Sequence, residues 1–373
     1  RQRQMCIRDS NLPATYVGQP NNETGRVTKG FAMAVKSKAL LYAASKQHNP
    51  SNSQDKWEAS AKAAYDIIKT GTYRLDPNEK ANNISSPEVV LFHMNGNSAA
   101  FERNNFPIRF TEGTRSTPAT ATFPSQNLVD AFQTVNGYPV TLTDNGWECE
   151  DPDFNPQNPY ANRDPRFERA ILANGMTFKD SEIAVYKGGS DYTSVSEGGS
   201  PTGYFLRKYI QETTSFETDK EVVNKHHWIV YRYAETLLTY AESMVMTFKN
   251  PQYTNIDFPK SAEWALNEVR KNAGMPTVSI TDPNEFMKAL QNEWRGEFAF
   301  EDHRFWDIRR WQIAENTQKE LYGVSIERTT DGSLNFQRIL YKNRTWNQRM
   351  YLYPIPQNEL FKNKNLNPQN TGW

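Results

Sequence analysis

The stretch from Glu293 to Trp311 constrains this chain more than any other. It interleaves Trp294, Phe298, Phe300, Phe305, Trp306 and Trp311 with carboxylates and guanidiniums. A helical segment wedged between other elements can satisfy both kinds of side chain at once. On a helical wheel Phe286, Leu290, Trp294 and Phe298 follow at steps of four, with Glu293, Glu297 and Glu301 on or beside the same face. Carboxylates at that spacing repel one another unless cations meet them. Arg304 falls on that face, and Arg232, Glu235 and Arg270 lie in flanking helical patterns. The spacing predicts a partly buried lattice of Arg232, Glu235, Arg270, Glu293, Glu297, Glu301 and Arg304 that fixes how several helices stack. The competing reading is a catalytic carboxylate pair, as in glycoside hydrolysis. Such pairs converge from separate elements onto a cleft, whereas these carboxylates alternate with arginines and large rings on one segment.

The 373 residues suffice for one large domain or two ordinary ones. Lysine plus arginine total 43, as do aspartate plus glutamate, so the formal net charge is zero and no basic footprint for nucleic acid is present. Mean hydropathy is −0.80 although 13% of residues are aromatic. A polar chain with that many rings has some to spare for a binding surface. No apolar run reaches the roughly 18 residues that span a bilayer. Residues 1–10 (Arg1 to Ser10) are out of character with the rest and read as a non-native leader. A disulfide between Cys6 and Cys149 is not expected if that start is foreign.

The chain alternates between helical and irregular regions. From Gly30, Phe31, Ala34, Val35, Ala39 and Tyr42 make an amphipathic stripe, and a second helix runs from about Asp55 to Gly71. Two such helices joined by a short turn are similar to a tetratricopeptide unit. Residues 73–225 are rich in Pro, Gly, Asn, Ser and Thr. There the pattern predicts a helix from Gln126 to Thr134 and weak strands at Val140–Leu142, Phe167–Leu172 and Tyr204–Tyr209. So long an irregular region between helix pairs reads as a layer that carries function. Helices are then expected over His227–Thr247 and Ser261–Lys271. Asp282-Pro283-Asn284-Glu285 is a strong N-cap signature for the long helix that leads through Trp311. The remainder, 319–373, reads as irregular.

Motifs for catalysis are missing from the sequence. None of His48, His93, His226, His227 or His303 stands at zinc-ligand spacing, and no phosphate-cradling loop or nucleophile elbow appears. His226 and His227 read as a helix cap or surface feature. The acidic run Asp144 to Asp153 could offer oxygens to calcium but lacks the ordered spacing of an EF-hand. No cofactor and no metal is expected. The aromatics of the irregular layer are more informative. Phe101, Phe106, Phe110, Phe123, Tyr138 and Trp147 lie among Asn, Thr, Gly and Asp. Sugar rings stack their C–H faces on exposed aromatic rings while their hydroxyls pair with polar side chains. Two or three of these rings should be exposed, with Trp147 in Asp-Asn-Gly-Trp foremost. The rest should anchor loops.

Several segments together resemble the SusD/RagB family of surface nutrient-binding lipoproteins. They include Tyr233 to Glu242, Leu266 to Gly274, Arg295 to Arg304 and Phe305 to Trp311, with Pro124 to Phe132, Asn162 to Phe167, Thr202 to Tyr204 and Pro354 to Pro356. The resemblance implies a mainly α fold: a right-handed solenoid of tetratricopeptide-like helix pairs bearing a large loop-rich layer and minor short β structure. It implies one domain over 11–373, divided into a helix pair (11–72), a ligand layer (73–225), a helix pair plus long helix (226–318) and an irregular end (319–373). It implies capture without catalysis. The partners would be an oligosaccharide or polysaccharide, or a peptide in the RagB type, and a SusC-like TonB-dependent transporter. The protein would be lipid-anchored on the extracellular face of the outer membrane. The family's lipid-modified cysteine and two earlier helix pairs have no counterpart here, so a truncated representative is expected. The resemblance places the family's site aromatics within Phe101–Phe123 and Tyr138–Trp147.

Overall fold

The structure, a computed structural model, describes residues 12–16, 25–78, 80–114, 121–317 and 319–373. The expected leader and Cys6 lie outside these residues.

Helix α1 (Lys29–Ala44) opens where the Thr28 hydroxyl accepts the Phe31 N–H at 3.3 Å. Helix α2 (Gln54–Lys69) buries Trp57, Ala61, Ala64 and Ile67. Strand β1 (Val89–Ser98) and the short helix α3 (Ala100–Asn105) lead into the loop-rich layer. That layer holds the hairpin of β2 (Thr141–Thr143) and β3 (Gly146–Glu148), and helix α4 (Pro165–Ala170) capped by Asp164. Strand β4 (Asn224–Arg232) returns antiparallel to β1 and runs straight into helix α5 (Tyr233–Phe248). Helices α6 (Ala262–Asn272), α7 (Pro283–Glu297) and α8 (His303–Arg310) follow, and then the hairpin of β5 (Glu320–Arg328) and β6 (Leu334–Asn343).

The fold is mainly helical and has two principal cores. In the first, α5 is buried on nearly every side, and its two carboxylates are paired there, Glu235 with Lys38 and Glu242 with Arg310. Leu237, Tyr240, Ala241 and Met244 pack with Leu41, Trp57, Ala61 and Ala64 from α1 and α2, and with Leu266, Phe286, Leu290 and Trp294 from α6 and α7. The alanines of α2 and α5 let backbones approach closely, and the Ser243 hydroxyl donates to that of Ser60 at 2.8 Å. The second core belongs to the loop layer, where Phe106, Phe132, Phe167, Phe178, Tyr204 and Phe205 meet Val324, Ile326 and Phe336.

Several expectations are corrected. The helix expected to run through Trp311 stops at Glu297, and Phe300 (φ 62°) and Asp302 (φ 61°) turn the chain in left-handed conformations before α8. The break serves both cores, for Trp294 and Phe298 stay in the first while Ala299 and Phe300 turn to the second. The helix expected from His227 begins only at Tyr233, because the β-branched and aromatic run up to Tyr231 pairs with β1. His226 and His227 are therefore strand residues.

In the loop layer the helix expected over Gln126–Thr134 is a single turn, Gln126–Val129. There the Arg163 guanidinium donates to the carbonyls of Val129 and Phe132 in place of helical N–H groups. The strand expected over Phe167–Leu172 survives only at Ile171–Leu172, since Asp164 and Pro165 start a helix over 165–170. The strand expected over Tyr204–Tyr209 shortens to Phe205–Leu206. The irregular end contains the β5–β6 hairpin, whose inward residues are Val324, Ile326 and Phe336.

Candidate functional site

A network of buried charge joins the helices to the loop layer. Arg232 ends β4 at 2% exposure and donates to Glu88, Glu297 and Glu301, the last through Nε at 2.9 Å. Glu297 turns its other oxygen to Arg166, 2.7 Å away, and Arg166 also meets Glu293 and Asp164. Arg270 closes on Glu293 at 3.1 Å, and Lys208 on Glu301 at 2.6 Å. Burial alone would raise the Glu301 carboxyl, but Arg232 and Lys208 outweigh it and hold it at about 2. Burial likewise opposes ionisation of Glu297, and the cations Arg232, Lys80 and Arg166 keep it well below the ordinary carboxylate range. A general acid needs the opposite shift. These carboxylates are saturated acceptors that hold elements together.

Two residues expected in this lattice stand outside it. Glu235 pairs with Lys38 at 2.9 Å and His303 at 3.3 Å, because the strand-to-helix junction turns it toward α1. Arg304 lies in the first turn of α8 beyond the break, and its Nε has no acceptor among the described residues. Burial, with the repulsion of the neighbouring Arg304, pushes the Arg295 guanidinium down to about 9. Sequence reasoning missed Glu88, Asp164, Arg166 and Lys208. The Asp164-Pro165-Arg166 cap motif was the available signal for two of them.

The aromatic candidates separate in the same way. Phe106 is fully buried, edge-on to Phe178 with ring centroids 5.0 Å apart, so it is a core residue and not a contact surface. Phe110 also packs on Phe178, and Phe123 on Phe205. Trp147, expected to be the most exposed, is half-buried against Phe154, Tyr160 and Phe336. Tyr138 is 39% exposed at its turn. Phe101 alone of the six lines a cleft described here, and the neighbours it meets there were not expected.

That cleft, of about 310 Å³, opens between α3, the end of β1 and the start of β4. Tyr209 and Trp228 lie nearly flat on one another, centroids 4.6 Å and planes 17° apart. Phe101 faces His226 at 5.4 Å. Asn95 and Asn104 bring exposed amides to its rim. Beneath it the fully buried Glu102 accepts the Gln211 N–H at 3.0 Å and lies 2.7 Å from His226 Nε2. Tyr209 has φ 67°, rare for a bulky residue, and is held by Asn82. Tyr209 also borders a second, polar cavity of about 450 Å³ that contains Arg169, Arg207 and Lys208. A third hollow, of about 540 Å³, lies between α1, β4 and α8, with Tyr42 and Trp306 in its wall.

The acidic run offers calcium no cage. Asp144 pairs with Arg338 at 2.9 Å, and Asp151 accepts from Thr134 and Asn136. No group of three or more His, Cys, Asp or Glu suited to a metal occurs among the described residues. Cys149 is a free thiol. No described helix is long and apolar enough to cross a membrane.

The model of the SusD family matches residues 87–373. The chain belongs to the SusD family. A SusD-like protein of Bacteroides fragilis shares 25% identity and superposes with a TM-score of 0.74, covering 100% of this chain and 70% of its own. Another structure from the same organism, described as a SusD-like carbohydrate binding protein, is 24% identical with a TM-score of 0.72 over 97% of this chain and 69% of its own, a likeness of fold. SusD-like protein P2 of Formosa agariphila is 24% identical over 258 residues, 66% of this SusD-family chain. The chain spans 45% of that curated relative's length.

Proposed function

We propose that this SusD-family protein captures an oligosaccharide or polysaccharide at the cell surface, without cleaving it, and delivers it to a SusC-like TonB-dependent transporter in the outer membrane. It would be held on the extracellular face by a lipid anchor. The observation that carries the reading is the cleft formed by Phe101, Tyr209 and Trp228 with Asn95 and Asn104 at its rim. Flat apolar faces beside amide donors and acceptors match the two-sided chemistry of a sugar ring. The description of a similar protein as carbohydrate binding points the same way. Glu297 and Glu301, the carboxylates of the competing glycosidase reading, are depressed by their cations, the opposite of what a proton donor to a leaving group requires.

The test is affinity electrophoresis through gels containing plant, host or microbial polysaccharides, with reducing-sugar release followed in parallel. Retardation by a glycan without release of sugar is expected. Phe101→Ala should abolish retardation, and Trp306→Ala, in the third hollow and outside the cleft wall, should leave it intact. Sugar release would replace the reading by a glycoside hydrolase. Binding of peptides alone would replace it by an uptake lid of the RagB type.

A further inference from the structure

We infer that the cleft takes an uncharged glycan and excludes uronate- and sulfate-bearing ones. This rests on the proposed function above and specifies its substrate class. The first ground is the lining. Among the described residues of the cleft wall there is no lysine and no arginine, and its polar groups are two amides, the hydroxyls of Ser98 and Tyr209, the Trp228 indole and two imidazoles. A carboxylate or sulfate entering it would shed water without meeting a guanidinium or ammonium, and an uncompensated charge is costly to desolvate.

The second ground is the floor. Glu102 is fully buried, and its Oε2 has no hydrogen-bond partner among the described residues. His226, beside its other oxygen, offsets that charge only when protonated. An anionic substituent in the cleft would add to the negative charge that Glu102 places behind His226.

The third ground is the neighbouring cavity, the nearest alternative seat for an anion. It does contain cations, but two of the three are already paired, and the third, Arg169, donates to the Pro77 carbonyl at 2.9 Å. Arg207 meets Glu212 at 2.9 Å and Lys208 meets Glu301 at 2.6 Å. A polymer crossing Tyr209 from one cavity to the other thus finds stacking surface and hydrogen bonds on one side and largely paired charge on the other.

The experiment compares matched polymers that differ only in charge. They are polygalacturonate against its fully methyl-esterified form, carboxymethyl- against hydroxyethyl-cellulose, and sulfated against desulfated galactan, alongside neutral xylan, mannan and glucan. The full chain is run against each by affinity electrophoresis, at low and at high salt. Retardation by one or more uncharged polymers, unchanged by salt, is expected, with none by the charged partners. Trp228→Ala should weaken it by roughly tenfold or more. Asn104→Ala, an exposed change that leaves the fold alone, should weaken it less, and circular dichroism verifies that each variant is folded.

Retardation by an anionic polymer that Trp228→Ala and Asn104→Ala both diminish would overturn the uncharged class and leave the cleft as the binding site. Retardation that neither variant alters would overturn the cleft itself. Retardation by no polymer would overturn the glycan reading and this inference with it.

Discussion

Asn82 and Tyr209 are joined by a side-chain amide that donates to the Tyr209 carbonyl at 2.7 Å, while the Asn82 carbonyl oxygen accepts the His227 N–H at 3.0 Å. One amide thus ties a residue in a left-handed conformation to the strand that carries Trp228. Without this tie Tyr209 can relax and its ring can leave the stack. Asn82→Ala should therefore lower glycan affinity by roughly three- to tenfold, the worth of about one hydrogen bond. Titration calorimetry beside a thermal melt separates this from general destabilisation. An unchanged affinity would mean that Tyr209 is held by its packing alone.

The charge network predicts large losses on truncation. Removing Glu297 leaves Arg232 and Arg166 each short of a carboxylate in a buried setting. Glu297→Ala should cost about 3–5 kcal/mol of folding stability. Urea unfolding measures it, and a change below about 1 kcal/mol would show that water replaces the carboxylate.

The same network sets an acid limit. The Glu301 carboxyl sits at about 2 in the folded protein, below its ordinary value of 4.5. A depressed carboxyl contributes stability that is fully present above the unfolded value and is lost as pH falls through the folded one. Between pH 4.5 and 2, Glu301 alone should surrender about 3 kcal/mol. Denaturation midpoints recorded down that range should fall less steeply for Glu301→Gln, which has no proton to take up.

Arg304 should behave in the opposite way from Arg232. It makes no ion pair among the described residues and lies beside the like charge of Arg295. Replacing a half-buried, unpaired guanidinium by an apolar chain of similar length removes a desolvation cost. Arg304→Met should leave the melting temperature unchanged or raise it, and Arg232→Met should lower it sharply. Equal losses from both would give Arg304 a partner.

Helices were legible from the sequence wherever local signals agreed. Asp282, Pro283 and Glu285 act together, with Asp282 accepting the N–H groups of Asn284 and Glu285, and α7 starts where that signature lies. The far end of that helix was not legible, because the turn at Phe300 and Asp302 follows from a demand that a wheel cannot register: adjacent residues must face different cores. Trp228 and Ile229 fall within the helix expected from His227, yet β1, over a hundred residues earlier, claims them. The candidate site suffered most. Phe101 could be picked out by its polar neighbours, but Tyr209 and Trp228 are brought beside it by long-range pairing alone. Phe106 had the same local composition as Phe101 and lies in the core. Burial is decided by tertiary packing, and composition does not report it.

The turn at Phe300 and Asp302 has a consequence for how the molecule comes apart. It delivers Glu301 to Arg232 and Lys208, so carboxylates borne by the helix stack are neutralised in part by cations from the loop layer, Arg166 and Lys208. A helix stack stripped of its loops would hold a column of like charges with too few counterparts. Neither half can leave without exposing the other's ions, and the two should melt in one cooperative transition.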